Sequence, residues 1–264
     1  MIEIRALKKS YGPIVAVDEL TLEIPAGCVF GFLGRNGAGK TTTIRMMMGL
    51  LEPTAGTVLL GGHDIRRAPE AAKAITGYLP DHPYLYDKLT AEEFLRFVSG
   101  LYGIAARDGE SRARSLLGDF ALAERADELV ETFSHGMKQR LALAGALIHR
   151  PRILVLDEPM VGLDPQGALD FRRLLAQLAA SGVTIFLSTH SLAVAEELCT
   201  RIGVLDRGRL VALGSLAELR ARAGMSARTN GDGALANGRA HGAHGGPSLE
   251  QVFLDLVGAA DGQW

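Results

Sequence analysis

The sequence predicts an α/β fold with a partly parallel sheet, and three observations carry that prediction. Apolar runs of strand length recur along the chain, many of them closed by Gly, Pro or Asp. From residue 151 to 214 these runs alternate with helical stretches. Between the β-rich first part and this alternating part, residues of about 90–150 are patterned as helix throughout.

Taken in order, residues 1–30 read as β. Residues 1–7 are short and β-branched, and residues 8–13 read as a turn. Residues 14–24 give a second pair of apolar runs, ended by Pro25-Ala26-Gly27. Residues 28–33 form a continuous apolar run, as a buried strand would. After GRNGAGKTT comes an apolar helical stretch, 42–51, that stops before Pro53. Strand-like runs recur at 56–60 and 74–79. Thr90 with Glu93 fits a capping box, and Phe94, Phe97, Val98 and Leu101 then fall on one helix face until Gly103. Further helices are expected at 111–120 and 137–148, the second stopped at Arg150-Pro151. Strands at 153–156 and 183–187 alternate with helices at 165–180 and 192–199. Residues 201–205 and 209–213 flank Asp206-Arg207-Gly208, a hairpin signal. Residues 223–247 contain Gly but no Ile, Val, Phe, Trp or Tyr, the composition of a flexible linker. Residues 248–264 read as a short amphipathic helix and tail, with Leu249, Val252, Phe253 and Leu256 on one side.

Composition narrows the function classes. With 264 residues, 47% hydrophobic and 22% charged, the chain is an ordinary globular protein large enough to bury a core. A formal net charge of −2 is too balanced for a nucleic-acid binder that works through a broad basic field. Cys28 and Cys199 do not make a disulfide framework and are expected to be buried thiols. The first residues lack the apolar core of a signal peptide, and no run of about 18 apolar residues could span a bilayer. The expectation is a cytoplasmic or peripheral protein.

Three segments carry chemistry. Gly34-Arg35-Asn36-Gly37-Ala38-Gly39-Lys40-Thr41 matches G-x-x-x-x-G-K-[ST], the phosphate-binding loop of P-loop NTPases. Its glycines let backbone N–H groups turn toward phosphate oxygens. Lys40 adds a charge at the β/γ-phosphates, and the Thr41 hydroxyl suits Mg²⁺. The helix that follows, through Thr42, points its positive end at the anion. Second, the apolar strand 153–156 ends in Asp157 and Glu158. Asp157 is placed for Mg²⁺, and Glu158 to orient or deprotonate an attacking water. Third, His190 follows the strand at 183–187, on the edge where open α/β sheets bind ligands. A lone histidine there could contact a γ-phosphate or be a satisfied structural residue.

With these motifs in this order, the chain resembles the ATP-binding subunit of the ABC transporter family over residues 1 to about 220. GRNGAGKT looks like the Walker A loop and LVLDEP like the Walker B strand. The segment FSHGMKQR at 133–140 sits where the family has its signature motif. Gly162-Leu163-Asp164-Pro165 resembles the D-loop, and Ser188-Thr189-His190 the switch-histidine loop. Tyr11 matches the aromatic that stacks on adenine, and the segment GYLPD at 77–81 falls at the Q-loop. The resemblance implies an ABC ATPase domain over 1–222: a P-loop core sheet, an N-terminal antiparallel β subdomain and an α-helical subdomain inserted at about 90–150. It implies ATP bound by Tyr11, Gly34, Asn36, Gly37, Ala38, Gly39, Lys40, Thr41 and Thr42, with Ser134 and Gly136 covering the ATP of a second subunit. It implies Mg²⁺ held by Thr41, Asp157 and Asp81, and hydrolysis served by Glu158 and His190. The expected partners are a second ABC ATPase subunit and an integral membrane permease, with no nucleic acid. The expected place is the cytoplasmic face of the cell membrane, and the expected direction is export.

Two departures stand out. The usual LSGGQ signature reads FSHGM, with His135 for a Gly and Met137 for the Gln. His135 could add a phosphate contact or simply pack. Asp81 stands where the family usually has Gln, bringing an extra negative charge near the phosphates. Pro83-Tyr84-Leu85-Tyr86 could anchor a permease or pack internally. The competing functions are a soluble mechanical ATPase of the same superfamily and a non-hydrolysing nucleotide sensor. The short span from Lys40 to Asp157, without heptads, argues against the DNA-tethering type, and Glu158 argues against the sensor. Met46-Met47-Met48 read as core, Arg66-Arg67 as solvated surface, and His241 with His244 as no metal site.

Overall fold

The computed structural model describes residues 1–161 and 163–221. The expected linker at 223–247 and helix at 248–264 lie outside the described residues. In chain order the elements are β1 (Ile2–Tyr11), β2 (Ile14–Ile24), β3 (Val29–Leu33), α1 (Lys40–Met47), β4 (Ala55–Leu60) and β5 (His63–Asp64). There follow α2 (Pro69–Ala74), β6 (Thr76–Leu79), α3 (Ala91–Leu101), α4 (Ala106–Asp119) and α5 (His135–Leu147). The last are β7 (Ile153–Asp157), α6 (Pro165–Ala180), β8 (Thr184–Thr189), α7 (Leu192–Leu198), β9 (Arg201–Asp206) and β10 (Arg209–Gly214).

The strands make two sheets. One is antiparallel, in the order β2-β1-β4-β5. The other has the order β10-β9-β3-β8-β7-β6 and is parallel except for β10 on its edge. The parallel strands are apolar on both faces because both faces are covered. Phe30 and Phe32 of β3, Val155 of β7 and Phe186 of β8 point into a core shared with β1, β2, β4 and α1. Their alternating neighbours Val29, Leu154, Leu156, Ile185 and Leu187 face a second core, built with α3, α4, α5 and α6. The three phenylalanines pack with ring centroids 5.2–6.4 Å apart in tilted pairs.

The antiparallel sheet departs from expectation at residues 8–13. The strand does not turn there but continues to Tyr11, and the two-residue link is Gly12-Pro13. Three register shifts between β1 and β2, with Ala6 at φ 45°, absorb the irregular apolar pattern. The expected pair of runs at 14–24 is one strand, and Met46, Met47 and Met48 are core.

The helices also start earlier than their apolar patterns suggest. α4 begins at Ala106, not near 111, because Gly109 lies inside it against α3. A Cβ at Gly109 would stand 2.2 Å from Ser99 Oγ, so this glycine is a helix-crossing point rather than a breaker. α3 carries the expected capping box: Glu93 N–H donates to Thr90 Oγ1 at 3.2 Å, and Thr90 N–H to Glu93 Oε2 at 2.8 Å. Cys28 and Cys199 are free thiols, and burial pushes the Cys199 thiol up to about 12.

Candidate nucleotide site

Four parallel strands deliver the candidate residues to one edge. β3, β8, β7 and β6 lie side by side, in register as Leu33 with Thr189, Asp157 with Ser188, and Leu79 with Leu156. Their carboxyl ends lead into Gly34, His190 and Glu158 directly and into Asp81 after Pro80, so all four segments leave the same edge of the sheet, where open α/β sheets bind ligands.

The phosphate loop folds as its sequence demands. Gly39 sits at φ 105°, and a Cβ there would stand 2.5 Å from the Ala16 carbonyl, so only glycine fits. Gly39 also caps α1, with no side-chain cap and no acidic residue in the first turn, which leaves the helix's first N–H groups available to an anion. The loop is shored from behind by the β9–β10 turn. Gly208 N–H donates to the Ala38 carbonyl at 2.9 Å, and Asp18 N–H to the Gly208 carbonyl at 2.9 Å. The Asp18 carboxylate then accepts from Lys8 at 3.0 Å and from Arg209 at 2.7 Å, which holds it below the usual carboxylate range.

Lys40, 6% exposed, donates to the Gly34 carbonyl at 2.7 Å and the Arg35 carbonyl at 3.3 Å. Its Nζ also lies 3.2 Å from Glu158 Oε1, an ion pair by distance that lacks hydrogen-bond alignment. The other carboxylate oxygen, Glu158 Oε2, is 3.0 Å from His190 Nδ1. Lysine, glutamate and histidine thus form one chain of contacts. Glu158 itself sits at φ 47°, a left-handed conformation uncommon for a residue with a side chain.

Asp157 is 1% exposed and accepts from Ser188 Oγ at 2.5 Å. Burial pushes its carboxyl up, as do the nearby charges of Asp81 and Glu158, while the Ser188 and Thr41 hydroxyls act the other way. The Thr41 hydroxyl thus lies near enough to Asp157 to influence its charge, while the hydrogen bond to Asp157 comes from Ser188. Asp81 is half-exposed and pairs with His82 at 3.0 Å. It acts on Asp157 through space rather than by touching it.

The remaining candidates stand elsewhere. Tyr11 is exposed at the β1–β2 hairpin tip, with Lys9 Nζ 5.1 Å above its ring. Asn36 and Gly37 are exposed, Gly34 and Ala38 buried, and Thr42 half-buried on α1. Ser134 is the N-cap of α5 and accepts from Met137 N–H at 3.3 Å. With His135 and Gly136 it lines a cleft of about 560 Å³ that also touches Leu163 and Asp164 but no phosphate-loop residue. The cleft beside the FSHGM segment is thus built from α4, α5 and α6 and the residues next to them.

Two residues were given no role from sequence alone. Ser188 ties Asp157 to the backbone of Glu158, and Gln139 reaches the next residue, Pro159. Ser188 shows in the sequence only as a polar residue ending an apolar strand, and Gln139 only as one of three polar residues, Lys138-Gln139-Arg140.

Comparisons with known proteins agree with this geometry. Residues 17–161 match the ABC transporter family. The chain is 38% identical over 224 residues to the linearmycin resistance ATP-binding protein LnrL of Bacillus subtilis (strain 168), covering 85% of this chain and 72% of the relative. It is similar to a solved ATP-binding subunit of an ABC transporter, with TM-score 0.84 and 32% identity over 97% of this chain and 99% of that one. It is also similar to a dimeric ATP-binding cassette in a post-hydrolysis state bound to ADP and Pi, with TM-score 0.75 and 26% identity over 82% of this chain and 99% of that one. The chain belongs to the ABC transporter family, as one of its ATP-binding, ATP-hydrolysing subunits.

Proposed function

We propose that this subunit pairs with a second ABC ATPase subunit around two ATP and drives an integral membrane permease, in the direction of export. The observation that carries the site assignment is the convergence of Lys40, Asp157, Glu158 and His190 at the carboxyl edge of one parallel sheet. Backbone N–H groups of residues 34–41 cradle the phosphates, Lys40 binds the β/γ-phosphates, and Thr42 adds to the first turn of α1. Tyr11 stacks on the adenine. Ser134 and Gly136 reach the ATP held by the other subunit, which their place at the N-terminal end of α5, beside an open cleft, supports.

The residues fit a Mg²⁺ ion. The donors are all oxygen, from Thr41, Asp157 and Asp81, and Asp157 is held in place by the Ser188 hydroxyl. Among the described residues no group of three or more His, Cys, Asp or Glu could hold a metal unaided, so substrate phosphates would complete the set. Bound there, the ion would supply positive charge to offset the negative charge of the phosphates. Glu158 orients the attacking water and accepts its proton, and His190 holds the Glu158 carboxylate and contacts the γ-phosphate.

No helix among the described residues is long and apolar enough to cross a membrane. We place the subunit peripherally, on the cytoplasmic face of the membrane. The exposed Tyr84 and the Tyr86–Phe97 edge-to-face pair support a permease contact on that side of the helical block. The drug-resistance role in the name of the Bacillus relative supports export.

A tagged Glu158→Gln form, purified with ATP from detergent-solubilised membranes, tests this reading. A polytopic membrane protein in stoichiometric amount is the expected companion. Recovery alone, or with a complex that contains no membrane protein, would overturn it and favour a soluble ATPase.

A further inference from the structure

Glu158 is held in an uncommon backbone conformation, φ 47°, that must be fixed from outside the residue. On its N-terminal side the fixing is plain. Glu158 N–H reaches Ser188 Oγ at 3.0 Å and the Ser188 carbonyl at 3.3 Å. On its C-terminal side the next backbone carbonyl, that of Pro159, accepts from Gln139 Nε2 at 3.1 Å. Gln139 comes from α5, an element of the helical block and not of the sheet that carries Glu158.

Gln139 is an odd residue to find there. It is 1% exposed, and its Oε1 is buried with no hydrogen-bond partner. A buried amide that makes so few bonds costs stability, so packing alone does not account for it. Its neighbours Leu141, Leu143 and Ala144 on the same helix are ordinary core. The one thing the amide does is hold the carbonyl that follows Glu158.

We propose that Gln139 is a positioning residue for hydrolysis: with Ser188 it clamps the backbone on either side of Glu158 and so aims the carboxylate. This rests on the reading of Glu158 as the residue that acts on water. The clamp also joins two parts of the chain. α5 is capped by Ser134, the residue expected to face the other subunit's ATP, and only the first turn of the helix, residues 135–138, separates Ser134 from Gln139. A shift of α5 when Ser134 engages would be felt first at Pro159 and Glu158.

The test compares Gln139→Met, Glu158→Gln and the unchanged full chain by phosphate release, by titration with a fluorescent ATP analogue and by thermal unfolding. Gln139→Met keeps the length and removes the donor. It should lower kcat about tenfold to a hundredfold, as misplacement of a reacting group by about an ångström does, with KM for ATP and the unfolding midpoint nearly unchanged. An unchanged kcat beside an inactive Glu158→Gln overturns the proposal and leaves the reading of Glu158 intact. An active Glu158→Gln overturns both. Loss of kcat together with ATP binding and thermal stability marks Gln139 as merely structural and also overturns it. Should the Met variant fail to fold, Gln139→Glu, which keeps the shape and turns an oxygen toward Pro159, must give the same split between kcat and KM.

Discussion

Glu158 contacts the lysine that is expected to bind the nucleotide, and replacing it should therefore change affinity as well as turnover. At 3.2 Å and an effective dielectric of about 20, unit charges on Lys40 and Glu158 attract by about 5 kcal/mol before any cost is counted. The side chains are only 6% and 13% exposed, so salt screens the pair little, but desolvation offsets most of that attraction. Poor hydrogen-bond alignment and the two carbonyls that already hold Nζ lower it further. A net coupling of about 1–2 kcal/mol is reasonable for a charge-assisted contact of this kind. A bound phosphate must compete with Glu158 for Lys40. Glu158→Gln should thus bind ATP about tenfold more tightly, since 1.4 kcal/mol is a factor of ten, while turnover falls about 10²–10⁴-fold. Titration with a fluorescent ATP analogue measures the first and phosphate release the second. Lys40→Ala should weaken binding, and in that background the affinity gain from Glu158→Gln should shrink. A gain that persists undiminished without Lys40 would show that Glu158 repels the nucleotide directly, and refute the competition argument.

Other outcomes follow from single contacts. Gly39→Ala forces a side chain onto the Ala16 carbonyl at φ 105°, so ATP-analogue binding should be lost and the melting point lowered. Thr90→Ala removes the capping box of α3 and should cost about 1 kcal/mol, read as a lower denaturant midpoint at constant slope. Burial beneath the stacked Tyr102 ring pushes His149 down to about 4 from 6.5, with the Thr76 carbonyl acting the other way. The unfolded chain therefore takes up a proton first as pH falls. The His149 contribution is present above pH 6.5 and is lost as pH drops toward about 4. Denaturation at stepped pH should show a steeper acid loss for the natural chain than for His149→Asn; parallel curves would contradict the buried, neutral imidazole.

The parts that were legible in the sequence are those where local pattern and tertiary role coincide. The phosphate loop, the apolar strand ending in Asp157 and Glu158, and the capped helix at Thr90 are written in contiguous residues whose chemistry fixes their shape. Legibility failed where a distant partner decides. Residues 8–11 look like a turn because their polar and small side chains break the alternation, yet pairing with both β2 and β4 keeps them extended. The helix expected from 111 starts at Ala106, and the glycine in its first turns, Gly109, is explained by the approach of Ser99 from α3. α2 passed unnoticed because six residues are too short to show a period. Ser188 and Gln139 are illegible for another reason. Their partners lie 30 and 20 residues away, on a different strand and beyond the end of a helix. That Ser134 would face a second subunit's ATP is implied only by family resemblance, because spacing along the chain does not reveal distance in the fold.

The strand that carries the phosphate loop has a consequence for how the chain is made. β3 spans Val29–Leu33, and both of its neighbours, β8 (Thr184–Thr189) and β9 (Arg201–Asp206), are synthesised far later. At about 5–20 residues per second, roughly ten to thirty seconds pass on the ribosome between β3 and the first strand that can pair with it. All five β3 residues are buried in the finished sheet, so during that wait an apolar segment stands without its partners. Antiparallel pairing of β1 with β2 needs no such wait, and the hairpin bearing Tyr11 can form at once. The phosphate loop is thus made well before the strands that hold β3 in place. Hold-off by chaperones, or slow synthesis over the helical block, would be felt at the phosphate loop before it was felt anywhere else.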